Sequence, residues 1–344
     1  MTYLPSRRSA LVAGAAFLGA TAPITQLLAA PGAAPALAPG VAAWPTRTVK
    51  LMVGFPGGSS PDLVARTLAE PLSAALGQSV IVENRVGASG NIAAGVLSRA
   101  TDDHTLGVLI NGNMTIARLI QPKLDFDPLK DLAPISLIGT APLALAVSNA
   151  AFAAAQGQDA PSFLAAARAQ GDRWNYGSPG VGTVAHIGME LLKSKTSITP
   201  VHVPYSGNPK VVQALLSGEI QLALLPPAMA AAQEKAGKLH IVGVTSAGRS
   251  GLVPEYPSLA EGGVRDFHLE IWNALAGSRS LPPGIVARLS TLVAEIVRRP
   301  EVRSALFQQG WQMTGTSAAG LAQRIAADTR TLGAVIEANQ IRAQ

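Results

Sequence analysis

The sequence lacks cysteine altogether and is poor in aromatic and charged residues. Without cysteine the chain forms neither disulfides nor thiolate metal sites, so its compartment must be inferred from other features. Aromatic residues make up 4% and charged residues 14% of the 344 residues, and the formal net charge is +6. No cluster of lysine and arginine with interleaved aromatics occurs, which argues against a nucleic-acid partner. The remaining composition, 48% hydrophobic, is typical of a globular protein with room for two lobes.

The N-terminal segment has the layout of an export signal. A short basic region around Arg7 and Arg8 precedes an apolar stretch of small residues at 10–22 and a region rich in Ala, Pro and Gly at 29–43. The arginine pair is compatible with twin-arginine export, and a Sec signal fits the same layout. We therefore predict that residues 1–43 are an export signal with its cleavage region and that the mature protein is periplasmic. No later apolar run reads as a transmembrane helix.

Strand and helix patterns alternate from Trp44 onward, and the pattern restarts after about residue 145. An apolar stretch at 135–147 is a candidate crossing between two lobes, and apolar residues at helical spacing predict a helix over 318–338. We predict an α/β fold with two doubly wound lobes joined by a hinge, in which alternating elements form parallel sheets covered by helices. Lobe I would comprise 44–143 plus 250–344, and lobe II would comprise 144–249.

Two glycine-rich turns stand at corresponding places in the two lobes. The first turn, residues 54–62, reads Gly-Phe-Pro-Gly-Gly-Ser-Ser-Pro-Asp, and the second turn, residues 177–183, reads Gly-Ser-Pro-Gly-Val-Gly-Thr. Each lies between an apolar run and a predicted helix. Unpaired N–H groups and the helix dipole at such a position favour an anion. The two turns therefore predict an anionic ligand gripped from opposite sides.

Catalytic and cofactor signatures are largely missing. The Gly-x-Ser-x-Gly elbow, the phosphate-binding loop and the dinucleotide fingerprint do not occur. Among scattered histidines only His186 stands near a glycine turn; with Glu190 it has the i, i+4 spacing of a metal pair, but a capping or packing role is favoured. We therefore predict no metal, no cofactor and no enzymatic activity. The alternative is a secreted hydrolase that uses Ser59 or Ser178 with His186.

Two further residues have both a functional and a structural interpretation. Asp62 either points into a ligand cleft or is an acid in the first turn of a helix, where the dipole favours it. Tyr205 either closes over a ligand or packs at the end of a strand. Both are kept, together with His186, as ligand-binding candidates.

Several segments occur in a fixed order along the chain. These segments are Trp-Pro at 44–45, Phe-Pro-Gly-Gly-Ser-Ser-Pro-Asp-Leu-Val-Ala-Arg at 55–66, Val-Glu-Asn-Arg-Val-Gly-Ala-Ser-Gly-Asn-Ile at 82–92, Tyr-Gly-Ser-Pro-Gly-Val-Gly-Thr at 176–183, Val-Pro-Tyr-Ser-Gly at 203–207 and Pro-Ser-Leu-Ala-Glu-Gly-Gly at 257–263. Together they resemble the Bug family of extracytoplasmic solute receptors. The resemblance runs from residue 44 to the C-terminus. It implies a type II-like flytrap receptor of a tripartite tricarboxylate transporter that closes on a small carboxylate.

The resemblance also implies which residues hold the ligand. Backbone amides and hydroxyls of the two turns would bind one carboxylate, at positions Phe55, Gly58, Ser59, Ser60, Ser178, Gly180, Gly182 and Thr183. Membrane permease subunits would be the partners of a monomeric receptor. A receptor that presents the same ligand to a sensor system would use the same cleft and remains an alternative.

One departure from the family pattern bears on specificity. The strand at 220–225 usually ends in an acid followed by a polar residue, whereas here Leu225 is followed by Pro226. We therefore expect an apolar distal wall that disfavours amino-acid ligands and favours a monocarboxylate with an apolar or aromatic body.

Overall fold

The structure is a computed structural model that describes residues 44–155 and 159–341. The predicted export signal, residues 1–43, lies outside the described residues. Within the described part of the chain, no helix is long and apolar enough to cross a membrane.

Strands and helices alternate along the chain, as the sequence predicts. In chain order the strands are β1 Val49–Val53, β2 Val80–Asn84, β3 Thr105–Ile110, β4 Leu132–Pro142, β5 Ala144–Ser148, β6 Asn175–Ser178, β7 Val201–Pro204, β8 Leu222–Leu225, β9 Leu239–Val244, β10 Glu270–Ser278 and β11 Gln312–Met313. The helices are α1 Ser60–Leu76, α2 Asn91–Ser98, α3 Asn111–Thr115, α4 Ala117–Ile120, α5 Pro128–Asp131, α6 Asn149–Ala153, α7 Ala160–Gln170, α8 Val184–Thr196, α9 Asn208–Ser217, α10 Pro227–Lys235, α11 Pro283–Ile296, α12 Pro300–Gln308 and α13 Ala318–Ala338.

Two sheets define two lobes. The first lobe has a six-stranded sheet in the order β11, β4, β10, β3, β1, β2, and the second lobe has a five-stranded sheet in the order β7, β6, β8, β5, β9. The α/β fold with two lobes is confirmed. The residue boundaries given above for lobes I and II stay a prediction.

The prediction that the sheets are parallel is wrong in part, because both sheets are mixed. In the first lobe β1 pairs in parallel with β2 and β3, but β10 runs antiparallel to both β3 and β4. In the second lobe β6 pairs in parallel with β7 and β8, but β5 runs antiparallel to β8 and β9. The antiparallel strands β5 and β10 are those that bring the chain into a lobe from the other one. The alternation of strands and helices along the sequence locates these strands, but it does not show whether they run parallel or antiparallel to the strands they pair with.

The chain crosses between the lobes where β4 gives way to β5, with only Leu143 between the two strands. This agrees with the crossing predicted at 135–147. The chain returns to the first lobe between β9 and β10. Thr245, which is fully buried, connects the two crossings. Its hydroxyl accepts a hydrogen bond from the N–H of Leu143 at 2.8 Å and donates to the carbonyl of Leu269 at 2.7 Å. Backbone bonds at 2.8 and 2.9 Å join the same three residues, so the hinge is a hydrogen-bonded junction of three chain segments.

The C-terminal helix α13 packs against both lobes. Leu321 and Ile325 lie in a core cluster of the first lobe with Trp272, while Leu332 and Ile336 lie in the main core of the second lobe. Its apolar residues recur at helical spacing, which is why the sequence predicts this helix with its observed bounds.

Candidate ligand cleft between the lobes

A cavity of about 50 Å³ lies between the two lobes. Its lining residues come from both lobes and from the hinge: Phe55, Ser59, Ser60, Pro61, Ile110, Asn111, Leu143, Pro179, Thr183, Val184, Ala185, Asn208, Pro226, Ile271, Trp272, Asn273 and Trp311. None of them is charged. The lining is mostly apolar and includes Pro226, as the expected apolar wall requires, whereas Leu225 lies in a core cluster of the second lobe.

The first turn brings some of its predicted residues to the cavity. Phe55, Ser59 and Ser60 line it and are buried. Gly58 adopts a positive φ of 77°, and its N–H donates to the carboxylate of Asp62 at 2.9 Å. The Gly58 N–H therefore stabilises the turn itself.

The carboxylate of Asp62 stabilises the first turn by accepting several hydrogen bonds. Besides the Gly58 N–H, its carboxylate accepts from Nε of Arg66 at 3.0 Å and from Nδ2 of Asn84 at 2.8 Å. Burial opposes ionisation, but the hydrogen bonds from Arg66, Asn84 and Gly58 hold the pKa of Asp62 below its usual value. Asp62 does not line the cavity, so its contacts favour the structural interpretation.

The second turn is held together by its own side chains. The Ser178 hydroxyl accepts from the Gly180 N–H at 3.2 Å and lies 2.7 Å from Nε2 of His202. The Thr183 hydroxyl donates to the Gly180 carbonyl at 2.7 Å, and the Gly182 N–H donates to Nδ1 of His186 at 3.2 Å. Of the residues predicted here, only Thr183 lines the cavity.

The unpaired backbone donors belong to Ser60, which the sequence predicts as a site residue, and to Val184 and Ala185, which lie just beyond the predicted second turn. Ser60 opens α1, and Val184 and Ala185 open α8; all three line the cavity. Within residues 44–155 and 159–341, their N–H groups meet no acceptor of the protein. Such groups at a helix start are the ones expected to bind an anion. Two helix starts with unpaired N–H groups therefore face one cavity.

Two stacked histidines support the second turn from behind. The rings of His186 and His202 lie 4.2 Å apart at an interplanar angle of 18°, and Tyr176 stacks on His202 at 4.8 Å. Burial lowers the pKa of His186 to about 4 and that of His202 to about 3, so both are neutral near pH 7. Ser178 is thus paired with His202 and not with His186, the partner considered in the hydrolase alternative.

The contacts of Tyr205 favour the packing role among its two interpretations. Its hydroxyl donates to Oε1 of Glu219 at 2.7 Å, and burial together with this carboxylate raises its pKa. Tyr205 is absent from the cavity lining.

Sequence reasoning missed three polar residues of the cavity. Asn111, Asn208 and Asn273 all line it and are buried, and Asn208 opens helix α9 next to Gly207. Both amide atoms of Asn273, the Oδ1 of Asn208 and the hydroxyl of Ser59 have no hydrogen-bond partner within the described residues. The sequence contained one signal that could have identified Asn273 as a cavity residue, because its amide lies inside an apolar strand pattern. Buried polar groups are normally paired, so an amide at such a position needs a partner. Within the described ranges, no group of three or more His, Asp or Glu side chains is arranged to hold a metal.

Glycines allow the lobes to approach closely beside the cavity. A Cβ added to Gly112, in α3, would lie 2.8 Å from the carbonyl oxygen of Gly182 across the cleft. A Cβ on Gly180 would meet Oγ of Ser89 at 2.4 Å, and one on Gly207 would meet Pro56 at 3.0 Å. The second turn thus approaches α3 of the first lobe through backbone, and the first turn approaches Gly207 of the second lobe through Pro56.

Two α/β lobes, joined by short crossings around a cleft of unpaired hydrogen-bonding groups, define the class of two-lobed solute-binding proteins. The family model for the tripartite tricarboxylate transporter family receptor matches residues 64–341. The chain belongs to this family, and the resemblance found in the sequence is confirmed.

Named relatives place the chain in the same group. Protein BugT from Bordetella pertussis is 29% identical over 297 residues, which cover 83% of this chain and 89% of BugT. The structure of Rpa4515 from R. palustris with adipate has a TM-score of 0.82 at 28% identity, and the match covers 87% of this chain and 99% of that protein. MatC from Rhodopseudomonas palustris with bound malate has a TM-score of 0.79 at 28% identity, covering 85% and 100%.

Proposed function

We propose that this protein is a periplasmic receptor that captures a small carboxylate between its lobes and delivers it to the membrane subunits of a tripartite transporter. It binds its ligand without transforming it. The observation that carries the proposal is the convergence of two helix starts, with unpaired N–H groups, on one buried cavity that also holds unpartnered polar side chains.

A carboxylate fits this cavity better than a cation. Helix starts place partial positive charge at the two turns, and the lining contains no acid that would pair with a cation. Two relatives support the same ligand class, since one was solved with adipate and another with malate.

The predicted site residues remain part of the proposal, in two groups. Phe55, Ser59, Ser60 and Thr183 would face the ligand directly. The others would act by holding the turns and helix starts in place; they are Gly58, Asp62, Ser178, Gly180, Gly182, His186 and Tyr205.

The body of the ligand should be apolar and its headgroup a single carboxylate. Pro226, Ile271 and Trp311 give the cavity apolar surface, and each Å² of apolar area buried contributes about 25 cal/mol. An ammonium group would be buried there without a carboxylate of the protein, at a cost of roughly several kcal/mol. We therefore expect such a monocarboxylate to bind more tightly than aspartate, glutamate or citrate.

Thermal unfolding with a carboxylate screen tests the proposal. Ligand at ~100 times its dissociation constant should add about 2.7 kcal/mol to the stability of protein that begins at Trp44. The screen should contain mono-, di- and tricarboxylates, aromatic acids included, with matched alcohols and amines as controls. A screen in which no acid moves the melting curve contradicts the proposal. Uptake of the binding acid by cells with and without this receptor then tests delivery to a transporter.

A further inference from the structure

The cavity contains a buried group that a carboxylate alone leaves unsatisfied, namely the side chain of Asn273. This residue lies within β10, opposite Ile110 of β3 and Gly139 of β4, and is 1% exposed. Neither its Nδ2 nor its Oδ1 has a hydrogen-bond partner within the described residues. A buried polar group without a partner destabilises a protein, so both ends of this amide require a partner in the cavity.

The two ends of the amide require different partners. The NH₂ end donates and the carbonyl end accepts. Exchanging the two atoms by a rotation of the amide changes their places but leaves one donor end and one acceptor end buried. An ionised carboxylate offers only acceptors, so it satisfies the NH₂ end and leaves the carbonyl end without a donor.

We propose that the ligand is a hydroxy acid, whose carboxylate binds at the two helix starts and whose hydroxyl is recognised by Asn273. A hydroxyl both donates and accepts, and it therefore satisfies either end of the amide. The Oδ1 of Asn208, which also lacks a partner in the same cavity, is a second acceptor to which the single proton of that hydroxyl can be donated instead. This inference rests on the proposed function and names the ligand class of the same cleft.

A neutral hydroxyl suits this position better than an ammonium group, which is also a donor. Every residue of the cavity lining is uncharged. An ammonium would lose its hydration and gain no carboxylate of the protein in return. The same chemistry distinguishes a hydroxy acid from an amino acid of similar size.

Calorimetry with matched pairs of acids tests the inference. The probes are lactate and propionate, 3-hydroxybutyrate and butyrate, and 4-hydroxybenzoate and benzoate, each titrated into protein that begins at Trp44. We expect the hydroxy acid of at least one pair to bind about tenfold more tightly than its unsubstituted partner, since one buried hydrogen bond is worth about that factor. Unsubstituted acids that bind as tightly as their hydroxy partners in all three pairs overturn the inference while leaving the proposed function intact. If no acid of either kind binds, both fail.

A substitution identifies the residue responsible. Asn273→Leu removes both ends of the amide at similar volume and should reduce the tenfold preference to near unity, chiefly by weakening the hydroxy acid. Asn149→Leu is the matched control, because the Asn149 side chain donates to the Gly237 carbonyl at the surface, away from the cavity. That variant should keep the wild-type preference. A preference that survives Asn273→Leu overturns the role of Asn273, and if this variant fails to fold, the paired titrations of the wild type still decide.

Discussion

Substitution of Gly112 by alanine should block the approach of the two lobes while leaving each lobe intact. Gly112 lies in α3 with an ordinary backbone conformation, so alanine is compatible with its helix. An added Cβ would lie 2.8 Å from the Gly182 carbonyl oxygen, whereas ordinary contact begins at 3.4 Å. Because this atom belongs to the backbone of the second turn, it cannot rotate away, and the lobes must separate.

The size of the effect follows from the cost of overpacking. Extra methyl groups in a packed interface cost about 1–3 kcal/mol, which lowers affinity about 5- to 150-fold. Stability without ligand should not fall, since alanine is favoured over glycine within a helix by roughly 0.5–1 kcal/mol. The expected signature is therefore weaker ligand binding with an unchanged or higher melting temperature of the free protein.

Calorimetry and thermal unfolding of Gly112→Ala measure these two quantities with the acid that binds the wild type most tightly. Gly248→Ala is the matched control, since a Cβ there meets no atom within 4 Å; its affinity should equal that of the wild type. A Gly112→Ala protein that binds within twofold of the wild type would refute the idea that the lobes close through this contact.

Three further predictions concern stability. Thr183→Val removes the hydroxyl that caps α8 and should lower the free energy of unfolding in urea by about 1 kcal/mol. Thr183→Ser keeps a hydroxyl and should retain most of this stability. Equal loss of stability in both variants would contradict the capping role. In the unfolded chain histidine has a pKa near 6.5, so His186 and His202 take up protons there as the pH falls from about 6.5 to 4. In the folded protein both stay neutral over most of this range, because burial lowers their pKa. The free energy of unfolding should therefore rise with pH across this window. Unfolding free energies should then be a few kcal/mol lower at pH 4.5 than at pH 7, and equal values would exclude buried neutral histidines. Asp328→Ala removes the acceptor of the buried Trp272 indole N–H, 2.6 Å away, and should destabilise the protein by about 1–3 kcal/mol; unchanged urea unfolding would show that this bond contributes little.

The sequence predicts most of the secondary structure because local patterns determine it. The helix at 318–338 has its observed bounds, and the stretch at 135–147 proves to be the crossing between lobes. Strand direction was not predictable in the same way. The insertion of β10 between β3 and β4 depends on contacts between segments more than 100 residues apart, and no local pattern records them.

The candidate site was predictable in position but not in detail. Glycines and hydroxyls locate the two helix starts, since those residue types are favoured there. Asp62 faces the turn because Arg66 and Asn84 donate hydrogen bonds to its carboxylate. Asn84 belongs to strand β2, and the sequence alone does not place it beside Asp62. Asn273 reaches the cavity through sheet pairing that the sequence alone leaves open.

The position of β10 also determines the order in which the protein can fold. All strands of the second sheet lie within residues 144–244, so that sheet can assemble as soon as they are available. The first sheet waits longer, because β3 and β4 pair with β10 and not with each other, and β10 ends at Ser278. A chain that emerges from its N-terminus therefore lacks β10, which joins β3 to β4 in the first sheet, until about four fifths of its length is present, and the lobe that is begun first is finished last.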